Sequence, residues 1–379
     1  MVGRSGGRGF SRARVSIAAA IVAVVLGVIL FIPNSAARAA ATPRVVGRVT
    51  GPTPPIAVAV DSHTNTAFVV TGNALLLAIN EGNHSVTAAI PLGFSGAHLA
   101  VDPKTGMIFV DGFYAPNPGQ CPFNAPPQCV QPAEQMRVYS EVSLSQVNVV
   151  DPACTPPGPE APGGWNMADD PNTGTVYLPC VGGLEEISEA TMRTKMVNVP
   201  GTVQSLSVDQ GTGTLYATVN APRSTNSSVA VIDEGTGAVT VAIPIGKSAD
   251  GVAVASKDAK VYAAHDGNAV SVIDEKSNKV TKTVTGLKGA VAVATDPVSK
   301  SVLVTDGLHT VSVIDESHDQ LAGTLGTGVP LPSTYGEPSP SAAADLVAVD
   351  AATGMACVVD GDVPWSGSSH LNQWVSMVK

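Results

Sequence analysis

One phrase of about a dozen residues returns seven times along the chain: an alternating apolar run, an aspartate, a turn, then a second apolar run carrying an aromatic or bulky residue. Clear copies are Leu99-Ala-Val-Asp102-Pro-Lys-Thr-Gly106-Met-Ile-Phe109-Val110 and Leu206-Ser-Val-Asp209-Gln-Gly-Thr-Gly213-Thr-Leu-Tyr216-Ala217. Aligned on the aspartate, the turns begin at Asp61, Asp102, Asp170, Asp209, Ala255, Asp296 and Asp350, giving steps of 41, 68, 39, 46, 41 and 54 residues. A period near 40 with several short strands per unit predicts a β-propeller. Such an array divides its core among the interfaces between units, so one continuous repeat domain is expected.

Residues 251–286 show the least decorated unit. Val252-Ala-Val254 suits an inner strand crowded near an axis, and Val261-Tyr262-Ala263 resumes the alternation after a polar turn. Asp266-Gly267 tolerates the positive φ of a tight hairpin. Val270-Ser-Val-Ile-Asp274 gives a third strand, and Val280-Thr-Lys-Thr-Val284 a polar outer one. The third-strand phrase recurs at Val229–Asp233 and Val311–Asp315, and Val147-Asn-Val-Val-Asp151 is a close variant.

These phrases resemble the YVTN-repeat family of seven-bladed β-propellers across residues 44–379. The resemblance implies an all-β fold of four-stranded antiparallel blades, and is specific for fold rather than function. The family's tyrosine survives as Tyr177, Tyr216 and Tyr262, with Phe68, Phe109, Leu303 and Cys357 elsewhere. The last unit offers only three strands, ending in Trp374-Val-Ser-Met-Val378, whereas Arg44–Gly51 has the style of an outer strand. Pairing the two predicts a ring closed by an N-terminal strand completing the last blade.

Arg4, Arg8, Arg12 and Arg14 precede an apolar stretch from Val15 to Ile32, and Ala37-Arg38-Ala39 has the form of a cleavage site. The expectation is a signal peptide over 1–39 and a propeller over 40–379. An uncleaved anchor over residues 15–32 is the competing reading, and the chain's sole expected membrane contact. The protein is accordingly expected to be exported: secreted, periplasmic or associated with the cell envelope. Removing residues 1–39 deletes five arginines and no acid, taking the formal charge from −10 to −10 − 5 = −15. That balance disfavours a nucleic-acid partner, and a monomer is expected.

Three segments depart from the repeat. An insertion over 115–136 holds Cys121 and Cys129, a proline-rich run over 152–164 holds Cys154, and a further proline-rich stretch spans 328–341. The second run stands where the outer strand of the second unit is expected, and prolines exclude a regular ladder there. Five cysteines suit an exported chain with disulfides. The preferred pairing is Cys121–Cys129 and Cys154–Cys180, leaving Cys357 a buried thiol; the other two connectivities remain open. No pair has the spacing of a metal knuckle, and no metal site is assigned.

Catalytic strings are absent: no Gly-x-Ser-x-Gly, no His-Glu-x-x-His, no phosphate loop. Positions just before each inner strand ring one mouth of the channel. There His98, Trp165, Asn166, Gln204, Asp250 and Asp345 form a candidate ligand-binding set that could take a small substrate or a divalent cation; the bland alternative is that they only begin strands. Asp111, Asp266, Asp306 and Asp360, each followed by Gly, are read as hairpin turns. His265 and His309 lie on the same mouth. The leading function is binding of a small molecule, peptide or protein partner there. The alternatives are a metal-assisted hydrolase or lyase and an envelope scaffold.

Overall fold

The computed structural model describes residues 43–51, 55–114, 133–154, 166–221, 226–306, 310–327, 346–360 and 373–379. Residues 1–42, Cys121, Cys129, Trp165, His309 and Asp345 lie outside the described residues. The protein is an all-β propeller of four-stranded antiparallel blades, built one aspartate turn at a time.

The turn chemistry follows from the side chains. An aspartate carboxylate that accepts the N–H two residues on closes an Asx turn. Asp61 accepts from His63 at 2.7 Å, Asp102 from Lys104 at 2.7 Å, Asp170 from Asn172 at 3.0 Å, Asp209 from Gly211 at 3.1 Å, Asp296 from Val298 at 2.8 Å and Asp350 from Ala352 at 2.7 Å. The unit with Ala255 lacks this acceptor and turns through a short 3₁₀ helix, Ser256–Asp258. After each turn the motif's bulky residue is buried: Phe68, Phe109, Tyr177, Tyr216, Tyr262, Leu303 and Cys357 are all at most 3% exposed. Each of these large side chains contributes on the order of 2 kcal/mol through burial. Outer strands such as Ser85–Pro91, Ser145–Val150 and Lys279–Thr285 are exposed along most of their length.

Among the described residues the strands form six hydrogen-bonded sheets rather than the expected seven. Five have four strands; the sixth runs Ala168–Asp170, Thr175–Ser188, Thr194–Asp209, Thr214–Asn220, Ser227–Asp233 and Ala238–Pro244. The difference has a local cause. Thr175–Ser188 and Thr194–Asp209 are 14 and 16 residues long, and Val181 pairs with Thr202, so two aspartate-turn units share one ladder. The sheet Val347–Val349, Ala356–Asp360, Gln373–Val378 takes Val45–Gly51 as its fourth strand, with Val49 opposite Val375 and Arg48 opposite Ser376.

The second unit also differs from its sequence reading. Its third strand is Ala133–Ser140, where Met136 and Val138 are fully buried, and Val147–Val150 lies within the outer strand Ser145–Val150. Residues 133–136 of the expected insertion are therefore strand. The proline-rich run follows a complete outer strand instead of replacing it. The Val-x-Val-Val phrase misleads because its alternation is satisfied equally by an exposed edge.

Candidate functional site

The inner strands surround a cavity of about 290 Å³ walled mainly by valine and alanine, with Asn166, Asp169, Ser205, Ser207 and Thr295 as its polar members. Asp169 stands where the other units carry Val60, Val101, Val208, Val254, Thr295 and Val349. Burial, with Glu189 and other acids beside it, pushes its carboxyl up to about 10.

A second polar group lies between the second and third units, next to both sequence departures. A bulge at Gly96–His98 sets His98 opposite Asp111 across two strands. Equivalent pairs elsewhere are apolar or neutral: Ala57 faces Val70, and Ser205 faces Thr218. Here His98 Nδ1 lies 2.9 Å from Asp111 Oδ2, with His98 4% and Asp111 1% exposed. The ladder comes close because residue 112 is glycine: a Cβ there would stand 2.1 Å from the Ser95 carbonyl oxygen. Asp111 therefore belongs to the strand Met107–Tyr114 and not to a turn. Burial pushes its carboxyl up, against the opposing pull of His98 and the Gly112 N–H.

Two further acids complete this group. Glu134, at the start of the third strand, is raised to about 9 by burial and by the charges of Asp111 and Glu185. Glu185 is fully buried and accepts the backbone N–H groups of Ala153, at 2.9 Å, and Cys154, at 3.1 Å. Those amides are fixed by the Cys154–Cys180 disulfide, whose Cα atoms lie 5.9 Å apart. Asp111 Oδ1 and Glu134 Oε1 take no hydrogen bond among the described residues. Buried carboxyls this close share protons or draw in a positive group.

The remaining sequence-predicted residues are dispersed. Asn166 lines the axial cavity and accepts from the Ser205 hydroxyl at 2.5 Å, while Ser205 Oγ accepts the Val252 N–H at 3.2 Å. Gln204 and Asp250 are buried, and burial alone raises Asp250 to about 7. The structure brings neither of them, nor His98, into the wall of that cavity. His265 sits between Asp266, at 3.0 Å, and Ser271, at 2.9 Å. That chain has the order of a nucleophilic triad, yet Ser271 is 2% exposed within Ala269–Asp274 and serves as an internal cross-link. Asp266 and Gly267 have φ of 56° and 70°, the left-handed pair expected of a tight hairpin.

Sequence reading missed Glu134, Glu185, Asp169 and Glu189. A signal existed for Asp169, an acid at a valine position of the repeat. None existed for Glu134, whose strand is separated from its neighbour by the insertion.

No family model matches the chain, and no curated protein matches it. Among solved structures, Kuenenia stuttgartiensis hydrazine synthase is similar over 82% of this chain and 94% of that one, with a TM-score of 0.62 and 15% identity. At that identity the likeness is one of fold: the chain is a β-propeller.

Proposed function

We propose that this chain is an exported propeller that binds a small molecule or peptide presenting a cationic or donor-rich group, at the end of the ring carrying His98, Asp111, Glu134 and Glu185. The observation that carries the reading is the concentration of two buried acids, Asp111 and Glu185, the half-buried Glu134 and one imidazole at a single interface, beside the insertion and the proline-rich run. Every other unit fills the His98–Asp111 position without such a hydrogen-bonded imidazole–carboxyl pair, whose burial costs free energy. Among the described residues, unpartnered oxygens on Asp111 and Glu134 supply acceptors for a ligand.

The ring in this reading has seven YVTN-type units, closed by Val45–Gly51. Support comes from the axial cavity, to which seven inner segments contribute, among them Val58–Val60, Leu99–Val101, Ser205 and Ser207, and Leu346–Val349. Export is supported by the disulfide and by the arginine-led apolar stretch at residues 4–32. A second reading, a hydrolase or lyase, is favoured by the carboxylate-oriented imidazole of His98.

Thermal-shift titration with polyamines and with lysine- or arginine-containing peptides, against acidic peptides of equal length, tests the proposal. Cationic probes should raise the melting temperature, and Glu134→Gln should diminish that shift. A protein indifferent to every cationic probe, or one responding equally to the acidic peptides, would overturn it.

A further inference from the structure

We infer that Asp102, Asp169 and Glu189 form a site for a hard divalent cation beside the axial cavity, separate from the His98 group. The three come from different parts of the repeat. Asp102 closes the turn of the second unit, Asp169 sits within the inner strand Ala168–Asp170 of the third, and Glu189 directly follows the strand Thr175–Ser188 of that same unit. One carboxylate oxygen from each lies within 4.8 Å of the others. An all-carboxylate donor set selects hard cations over zinc or copper.

This cluster holds unpartnered buried oxygens, one of them without counterpart in the other units. Glu189 is 5% exposed and its Oε1 takes no hydrogen bond among the described residues, as holds for one oxygen on each of Glu81, Glu234, Glu275 and Glu316; its Oε2 lies 3.2 Å from the Thr105 hydroxyl. Asp169 Oδ1 is likewise without a donor among the described residues, and Asp169 is the one carboxylate in the wall of the 290 Å³ cavity. The other oxygens are already oriented: Asp102 accepts from Lys104 N–H at 2.7 Å and from Thr105 Oγ1 at 2.6 Å. The site thus has carboxylates held by backbone and hydroxyl donors, and vacant buried oxygens beside the cavity that Asp169 lines. Glutamates after a third strand recur at Glu234, Glu275 and Glu316. The third carboxylate is specific to Asp169, since Val254, Thr295 and Val349 occupy its place in later units.

The test uses the purified protein, stripped with chelator and desalted. Calorimetric titration with CaCl₂, and titration with MnCl₂ read by the electron paramagnetic resonance of free Mn²⁺, should each give one ion per chain. Asp169→Val restores the residue of the repeat and should fold; it should lose binding by at least about tenfold, as should Asp169→Asn. Glu234→Gln, at the equivalent place in the next unit, should bind as wild type does. Calcium should raise the melting temperature of the wild type and leave that of Asp169→Val unmoved. Absence of a stoichiometric ion at millimolar Ca²⁺ and Mn²⁺, or undiminished binding in either Asp169 variant, would overturn the inference. Neither outcome bears on cationic ligands at Glu134.

Discussion

His98 and Asp111 face each other across neighbouring strands, Nδ1 to Oδ2 at 2.9 Å, where the first unit places Ala57 against Val70. A hydrogen-bonded imidazole–carboxyl pair in so dry a place is costly to halve. Removing the imidazole leaves an acid among acids, with Glu134 and Glu185 already near. His98→Ala should therefore destabilise the fold by about 3 kcal/mol. The double replacement His98→Ala with Asp111→Val, copying the first unit, should recover most of that loss. Urea unfolding of the wild type and these two variants measures both; a double variant no better than His98→Ala refutes the account.

Stability should fall as pH rises from about 5 to about 8.5. Glu81 lies beside Asp350, Glu141 beside Asp61, Glu275 beside Asp209 and Glu316 beside Asp258, each pair bridging two units. Burial, reinforced by the neighbouring aspartate, lifts Glu81 to about 8 and the other three to about 7, from an ordinary 4.5. Because the folded pKa exceeds the unfolded one, between these values the folded chain holds protons that the unfolded chain has released. The contribution is thus full below about 4.5 and is lost as pH climbs through 7 to 8. Glu275→Gln, which mimics the protonated acid, should flatten the decline. A melting temperature that stays level or rises over this range contradicts the prediction.

Thiol chemistry should distinguish Cys357 sharply. It is fully buried beside Met377 and Glu81, and burial pushes its thiol well above the ordinary range. Iodoacetamide should leave it unlabelled in the native protein and modify it on denaturation, while Cys154 and Cys180 map to one disulfide-linked peptide pair. Native labelling of Cys357 at the rate of a free thiol would rule out this packing.

Truncation addresses the seam. A chain beginning at Ala40 retains Val45–Gly51, whereas one beginning at Pro52 strips the hydrogen bonds to Gln373–Val378, each worth about 1 kcal/mol. The shorter chain should melt well below the longer one or aggregate through its bared edge. Equal melting temperatures and equal solubility would show that this strand carries no stability.

The repeat was legible because its information is local. An aspartate, a polar turn and a buried aromatic lie within a dozen residues, and each does locally what its chemistry dictates, as the six Asx turns demonstrate. The candidate sites were less legible because they are made between units. Glu189 meets Asp102 from 87 positions away (189 − 102), and no periodicity announces that encounter. Asp111-Gly112 shows the limit of local chemistry. The same dipeptide makes a hairpin at Asp266-Gly267, but between Phe109 and Tyr114 it continues a strand, because the next strand is displaced by an insertion. The merged sheet was hidden for a related reason, since the Val181–Thr202 pairing requires two ordinary turns to straighten into each other.

Arg44 and Lys379 exchange two backbone hydrogen bonds of 2.9 Å, so these two residues leave the same end of one ladder. A load applied between them opens antiparallel pairs in succession, since those bonds lie across the strands and meet the force one at a time. Heat must disrupt the whole strand at once, but tension needs only to start at Arg44 and peel. If residues 1–42 were held at a membrane, mechanical pull would act first on the strand that the last sheet borrows from the front of the chain.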